Sequence, residues 1–171
     1  MRLQINFTEI SESGLKYEVT DSSWMSGAYQ NDDAKPYAHV ELVKKSHTEI
    51  ELRGKLDVTA RLVCDRCLED YLIPIHSEMT FILQYPSQDH LRALNVDGGF
   101  GEVEILSLET PQVDIEDILR QQFLLALPVK NLCSKKCKGL CSQCGVNLNK
   151  SRCPCLAEKE KSPFAVLAKF K

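Results

Sequence analysis

Eight cysteines are the residues whose type and spacing point most directly to chemistry in this chain. Two pairs have the Cys-x-x-Cys spacing, in which one tight turn presents both sulfurs to a tetrahedral metal ion. These pairs are Cys64-Asp65-Arg66-Cys67 and Cys141-Ser142-Gln143-Cys144, and the other cysteines are Cys133, Cys137, Cys153 and Cys155. Six thiols thus lie within the 23 positions 133–155, too few residues to bury them as small apolar side chains. The pattern favours structural metal binding.

Eight ligands suggest two four-cysteine sites, although spacing alone leaves their partition open. The partition we favour joins Cys64 and Cys67 with Cys133 and Cys137, and leaves Cys141, Cys144, Cys153 and Cys155 to form a second, local site. The first site would clamp a turn of the sheet to a later part of the chain. The second would fold a segment with almost no apolar residues, so that metal replaces a core.

Zinc is the expected metal, with two ions, and an iron–sulfur cluster is the alternative for four thiolates. A redox dithiol is a further alternative for Cys64 and Cys67, because Arg66 can lower the pKa of a neighbouring thiol. That pair lies between β-rich segments, however, and does not open a helix after a strand. The redox interpretation is therefore disfavoured.

Other residue types give no catalytic pattern. His39, His47, His76 and His90 are scattered along the chain, and a surface or hydrogen-bonded role is commoner for such histidines than ligation. We recognise no Ser-His-Asp arrangement, phosphate-binding glycine loop or His-Glu-x-x-His motif. The sequence predicts a protein that is not an enzyme and has no small-molecule substrate.

Composition predicts one main globular domain, since the chain has 171 residues and is 43% hydrophobic. No export leader or run of eighteen apolar residues is recognisable, so we expect a cytoplasmic protein with no membrane partner. Disulfides do not persist in a reducing compartment, which strengthens the metal interpretation of the thiols.

Charge divides the chain into two parts at Leu127. Residues 1–127 contain 11 Lys and Arg against 22 Asp and Glu, whereas residues 128–171 contain 10 against 2. We therefore predict a β-rich domain with a covering helix at 1–127 and a basic, cysteine-rich, metal-binding tail with a C-terminal helix at 128–171. The candidate contacts to nucleic acid or a partner are Lys130, Lys135, Lys136, Lys138, Lys150 and Arg152. A solvated loop face is the alternative role for these side chains.

The elements that must position the cysteines are predicted mainly as strands. Alternation of polar and apolar residues predicts strands at 2–9, 15–20, 39–43, 49–53, 55–63, 71–75 and 79–85, with a short one at 102–106. The first two are expected to pair as a hairpin, Gly54 separates two of the others, and an antiparallel meander is the simplest arrangement. The first cysteine pair then falls at a turn between strands.

One main helix is predicted from Asp114, an N-cap, to Pro128, with its final leucines buried all round. Ser162 and Pro163 predict the start of a short C-terminal helix, and residues 86–101 form a polar loop of unknown role. The predicted fold class is α+β: an antiparallel sheet or partly open barrel packed by one main helix, with a zinc-held C-terminal module.

Several motifs together resemble the bacterial YceD family, known as the large ribosomal RNA subunit accumulation protein and found also in plastids. They are Cys64-Asp65-Arg66-Cys67-Leu68, Leu124-Leu125-Ala126-Leu127-Pro128, the run from Cys137 through Cys144 to Asn149, and Pro163-Phe164-Ala165-Val166-Leu167. Cys64 and Cys67 match the family's most widespread pair, and Cys137, Cys141 and Cys144 match its tail motif. Some relatives lack much of that tail.

The resemblance implies a non-catalytic factor in large-subunit biogenesis that supports synthesis, processing or accumulation of 23S ribosomal RNA. Its implied partner is ribosomal RNA or a large-subunit ribosomal protein. The strongly acidic region 1–127 supports an alternative, an adaptor that binds a basic ribosomal protein. A thiol switch that releases zinc on oxidation is a third hypothesis.

Overall fold

A five-stranded sheet forms the framework of the structure, a computed structural model that describes residues 3–25, 29, 36–85 and 104–155. The sheet order is β2-β3-β4-β5-β6. Its strands are β2 (Leu15–Val19), β3 (Tyr37–Lys44), β4 (Glu49–Val63), β5 (Asp70–Gln84) and β6 (Glu104–Ser107). β2 and β4 both pair antiparallel with β3, whereas β6 runs parallel to β5, which the predicted meander did not include.

The predicted hairpin between the first two strands is wrong. β1 (Gln4–Asn6) pairs with β7 (Gln112–Asp114), and β2 pairs with β3. Asn6 ends β1 early because its side chain accepts a hydrogen bond from the Thr8 N–H at 3.0 Å and caps a short 3-10 helix, Phe7–Glu9. The chain therefore turns away before it can pair with β2.

Gly54 lies inside the continuous strand β4 and does not separate two strands. A Cβ atom at this position would lie 3.1 Å from Cγ of Met79 and 3.3 Å from the carbonyl oxygen of His39. The glycine is thus explained by close packing inside the sheet, since an added Cβ atom would require Met79 or the neighbouring strand to shift.

The main helix, α1, spans Ile115–Ala126 and confirms the sequence prediction closely. Asp114 is its N-cap and accepts a hydrogen bond from the Asp117 N–H at 3.0 Å. The predicted burial is wrong for Leu124 and Leu125, which are 49% and 76% exposed, whereas Leu127 is partly buried and packs against the core. One face of the helix is covered, and the side chains of Leu124 and Leu125 lie outside it.

The apolar core lies on one face of the sheet and includes α1, β1 and β7. Phe123 is 1% exposed, and its ring makes edge contacts with Trp24 and Tyr29 at centroid distances of 5.9 and 5.5 Å. These observations confirm the α+β class. Among the described residues the sheet is open, with no closed barrel, and α1 is the one α-helix.

The chain divides into two compact units. The sheet unit comprises Met1–Arg61 and Ile73–Leu127, and the cysteine unit comprises Leu62–Leu72 and Pro128–Lys171. The tip formed by the ends of β4 and β5 therefore groups with the tail. The predicted domain division at Leu127 stays a prediction, and the predicted C-terminal helix and the loop at 86–101 lie outside the described residues.

Phe123→Ala is expected to lower the free energy of unfolding by about 3–5 kcal/mol, because it leaves a cavity in a closed part of the core. Urea unfolding followed by circular dichroism measures this change. Leu125→Ala on the same helix is the control and should change stability by about 0.5 kcal/mol or less, since Leu125 is 76% exposed. Equal losses in the two variants would contradict this packing.

Candidate metal centre

The first cysteine pair forms a tight turn between β4 and β5. The N–H of Leu68 donates to the carbonyl oxygen of Cys64 at 2.9 Å. The N–H of Cys64 donates to the carbonyl oxygen of Glu69 at 2.9 Å. Leu68 closes the turn in the left-handed region, with φ of 57°, where residues with a side chain are strained. Cys64 and Cys67 are both buried. We call residues 64–68 the first knuckle.

The second cysteine pair repeats this geometry in residues 141–145, the second knuckle. The N–H of Gly145 donates to the carbonyl oxygen of Cys141 at 2.9 Å, as Leu68 does to Cys64. Gly145 closes the turn with φ of 72°. A Cβ atom there would meet no atom within 4 Å, so backbone conformation and not space accounts for the glycine.

The structure brings the eight cysteines together in the two sets of four that the sequence analysis grouped. One set is Cys64, Cys67, Cys133 and Cys137, the other is Cys141, Cys144, Cys153 and Cys155, and within each set all sulfurs lie within 4.8 Å of one another. All eight are free cysteines. Both sets can therefore hold a metal ion, although metal ligation itself stays a prediction.

Distances within the first set suit a tetrahedral ion. Sγ of Cys64 lies 3.9 Å from Sγ of Cys137, and Sγ of Cys67 lies 3.7 Å from Sγ of Cys133. Sulfurs about 2.3 Å from a tetrahedral zinc ion would be about 3.8 Å apart. In the second set, Sγ of Cys153 lies 3.3 Å from the sulfurs of both Cys141 and Cys144. That spacing is somewhat tighter than the tetrahedral value.

The pKa values of the thiols within each set differ widely. Backbone hydrogen bonds, chiefly from Cys133, lower the pKa of Cys64 to about 6, and those from Cys144 and Gln143 lower the pKa of Cys141 to about 6. Desolvation of the sulfur, reinforced by hydrogen bonds with neighbouring thiols, raises the pKa of Cys133 to about 12 and that of Cys153 to about 12. Four crowded thiols therefore cannot all ionise by themselves, whereas a divalent cation would favour four thiolates.

The residues between the first two cysteines fix the tail segment beside them. Asp65 and Asn131 exchange hydrogen bonds, from the Asp65 N–H to the Asn131 carbonyl at 2.7 Å and from the Asn131 N–H to Oδ2 of Asp65 at 2.8 Å. Arg66 donates from Nη1 to the carbonyl of Cys137 at 2.9 Å. The carbonyl of Arg66 accepts the N–H of Leu140 at 3.0 Å. Sequence reasoning missed these roles, because no local pattern marks the partners.

Gly139 allows this close approach. Its φ is 75°, and a Cβ atom would lie 3.0 Å from the carbonyl oxygen of Arg66. The partly buried Tyr71, Leu132 and Leu140 then pack against the buried cysteines of the first set. The three buried cysteines of the first set thus pack against apolar side chains, whereas Cys133 is exposed.

The six predicted contact residues all belong to the cysteine unit and are exposed. They are Lys130, Lys135, Lys136, Lys138, Lys150 and Arg152. Within the described part of the chain, only Lys150 among them forms an ion pair, with Oε1 of Glu69 at 2.5 Å. The other five are exposed and form no ion pair with any described residue.

The histidines do not join the cysteine sets. His76 contacts Asp57 through Nδ1 and Oδ1 at 2.5 Å on the solvent-facing side of the sheet. Both side chains are more than half exposed, as expected for a cross-strand pair in water. His90 lies outside the described residues.

The fold and these two sets define an α+β protein with a pair of candidate four-cysteine metal centres. Residues 52–171 match the family described as large ribosomal RNA subunit accumulation protein YceD. The chain belongs to the YceD family, as the sequence motifs indicated. The family is named as an accumulation factor and not as an enzyme.

One curated relative is the large ribosomal RNA subunit accumulation protein YCED homolog 1, chloroplastic, of Arabidopsis thaliana, 32% identical over 63 residues. The aligned stretch covers 37% of this chain and 20% of the relative, so the similarity spans about a fifth of the relative's length. No solved structure gives a significant match. Among the described residues, no helix combines the length and apolar character that crossing a membrane requires.

We expect the full chain at saturating metal to bind two equivalents of Zn²⁺ or Co²⁺, and one equivalent in either Cys64→Ser or Cys144→Ser. Each substitution removes one sulfur from a different set. Elemental analysis after gel filtration measures the ratio, and Ser134→Ala, next to Cys133, is the control that should keep two. Two equivalents retained in either cysteine variant would contradict the two sets.

Proposed function

We propose that the protein is a non-catalytic factor in large ribosomal subunit biogenesis, whose zinc-loaded cysteine unit contacts ribosomal RNA. The observation that carries this proposal is the family match of residues 52–171, a range that contains both cysteine sets and all six contact residues. A structural role for the metal fits sets of four sulfurs, because they leave no open position for a substrate. The predicted cytoplasmic location stays a prediction.

Zinc is the metal that this geometry favours over an iron–sulfur cluster. The four sulfurs of each set lie within 4.8 Å of one another, which suits a single ion at the centre of a tetrahedron. A cluster of several irons holds its cysteines farther apart, around the outside of the cluster. The spacing therefore supports one zinc ion in each set.

Contact with RNA is supported by the charge of the described tail. Residues 128–155 contain Lys130, Lys135, Lys136, Lys138, Lys150 and Arg152 and no Asp or Glu. Exposed lysines on a rigid metal-held segment give phosphate contacts that are sensitive to salt and read little sequence. Such contacts suit a large, structured RNA.

Leu68 supplies an apolar contact beside these charges. It is 64% exposed, although the left-handed conformation costs a residue with a side chain roughly 1–2 kcal/mol. The second knuckle uses Gly145 at the same place, so the turn itself does not require leucine. Its neighbours include Arg66 and the Glu69–Lys150 ion pair. A strained, exposed leucine beside basic groups fits contact with an unpaired base.

The adaptor for a basic ribosomal protein is the second candidate, and the acidic composition of residues 1–127 favours it. Several carboxylates on the solvent-facing side of the sheet are already neutralised, however. The ion pairs are Lys16–Glu41, Lys45–Glu51, Arg53–Glu51 and Lys55–Glu78. These pairs occupy three carboxylates, those of Glu41, Glu51 and Glu78, whereas the excess of acidic over basic residues in 1–127 remains. The thiol switch stays a prediction.

Replacing Lys135 and Lys136 together by Glu is expected to weaken binding to large-subunit precursor RNA by tenfold or more at about 0.1 M salt. The slope of log affinity against log salt should fall by about two, since two phosphate contacts are lost. Filter binding of the metal-loaded protein measures both quantities. The charge-matched control, Lys44→Glu with Arg61→Glu in the sheet unit, should change them little.

A pull-down of the intact protein with and without nuclease distinguishes the two candidates. Loss of ribosomal partners after nuclease supports RNA contact, whereas a ribosomal protein that stays bound supports the adaptor. If the zinc-loaded protein binds no large-subunit precursor, and its depletion leaves the large ribosomal RNA intact, both candidates fail.

Leu68→Gly is expected to weaken association with precursor RNA while the two metal equivalents and the Tm stay within experimental error of the wild type. Glycine relieves the left-handed strain, which offsets the packing lost with the leucine side chain. Filter binding, elemental analysis and thermal unfolding measure the three properties. A large fall in Tm would instead assign Leu68 a role in folding, and unchanged RNA affinity would remove it from the contact surface.

A further inference from the structure

Asn149 lies in the chain among the cysteines of the second set, but its side chain contacts a cysteine of the first set. It lies between Cys144 and Cys153, two members of the second set. Its Nδ2 group donates a hydrogen bond to Sγ of Cys137, in the first set, at 3.2 Å. This contact makes Asn149 a direct physical link between the two candidate metal centres.

The orientation of the Asn149 amide is fixed by its other partners. Its Oδ1 accepts the backbone N–H of Lys138 at 2.8 Å, and an N–H can only donate. The oxygen must therefore face Lys138, which leaves the NH₂ group facing the sulfur. The same NH₂ group donates to Oδ1 of Asn147 at 2.9 Å, and this oxygen also accepts the Asn149 N–H at 2.9 Å. The donor that faces Cys137 is thus fixed in position.

A short hairpin delivers Asn149 to that place. Leu140 and Asn147 form a single antiparallel bridge, the Cys141 N–H donates to Val146 at 2.9 Å, and the Leu148 N–H donates to Gly139 at 2.9 Å. A two-stranded hairpin of this size is marginally stable in water. The second knuckle forms its tip, so an ion bound by the second set would tie that tip to Cys153 and Cys155.

We propose that Asn149 couples the two centres, so that metal in the second set strengthens metal binding by the first. An ordered hairpin holds the amide against Cys137, and an N–H group that faces a ligating thiolate stabilises it and fixes its direction. Metal in the first set must favour loading of the second by the same factor, because equilibrium coupling is reciprocal. The inference rests on the proposed binding of metal by both sets.

Asn149→Asp tests the contact with the smallest change. The aspartate keeps an oxygen for the Lys138 N–H but cannot donate to sulfur. We expect metal affinity of the first set to fall about 10–100-fold, the range typical for loss of such a supporting hydrogen bond. With the first set disabled by Cys64→Ser, the second set should keep its affinity in the Asn149→Asp background, because no metal in the first set is then present to couple to it. Gln143→Glu makes the same change from amide to acid in the second knuckle and is the charge control.

Release of Zn²⁺ from the full chain to a coloured chelator measures each site, since Cys64→Ser and Cys144→Ser identify which phase belongs to which set. Substitution with Co²⁺ adds a spectroscopic test, because loss of an N–H···S bond shifts the thiolate-to-metal absorption of the first site. A purely structural role for Asn149 would leave that absorption unchanged in the aspartate variant and would overturn the proposal.

The coupling itself is tested by combining Asn149→Asp with Cys144→Ser. Cys144→Ser alone should weaken the first site about as much as Asn149→Asp does, and the double variant should be little worse than either. If the losses of first-set metal affinity in the two single variants multiply in the double variant, the coupling is overturned. An unchanged metal affinity of the first set in Cys144→Ser would also overturn it. If the wild type binds no metal at either set, the proposed metal function fails instead, so the two failures are distinguishable.

Discussion

Crowding of four sulfur atoms is the constraint on which the cysteine unit depends. In each set the sulfurs lie within 4.8 Å of one another, and their proton affinities diverge, with one pKa near 6 and another near 12. Such a group holds mutually repelling thiolates or buried neutral thiols unless a cation joins them. Among the described residues, the partly buried apolar side chains that pack around the first set are Tyr71, Leu132 and Leu140. Metal would therefore supply much of the stability that an apolar core supplies elsewhere.

The two knuckles show how one local geometry is used in different surroundings. Each closes with an N–H bond of 2.9 Å to the carbonyl of its first cysteine and a left-handed residue after its second. The first knuckle joins two 15-residue strands, whereas the second caps a short hairpin. Long paired strands can hold Leu68 in a strained, left-handed conformation. The short hairpin has Gly145 at the same place, where glycine adopts this conformation without strain. The difference leaves an apolar side chain exposed at the first knuckle alone.

The sheet unit has its own core and several carboxylates that form ion pairs with neighbouring side chains. Glu51 illustrates this pairing, since hydrogen bonds from Lys45 and Arg53 lower the pKa of this buried carboxyl. Such pairing stabilises the ionised form of a carboxylate that lies within the sheet. In the cysteine unit, three lysines that surround Cys137 in sequence form no ion pair with any described residue; they are Lys135, Lys136 and Lys138. The residues that match the YceD family, 52–171, include the whole of this unit.

The sequence by itself determined the features that depend on near neighbours: the α1 helix with its Asp114 cap, the β-rich character of the first half, the two Cys-x-x-Cys turns and the basic tail. Helical periodicity, capping and ligand spacing are local properties, so the chain displays them directly. Only the tertiary structure decided the pairing of β1 with β7, the close packing at Gly54 and the exposure of Leu125. It alone also showed the contacts of Asp65 with Asn131 and of Asn149 with Cys137. Most of these join residues far apart in the chain, and the amide of Asn149 has no pattern that marks its partner. These pairings and contacts depend on which surfaces of the chain pack together on folding. No short stretch of sequence encodes that packing.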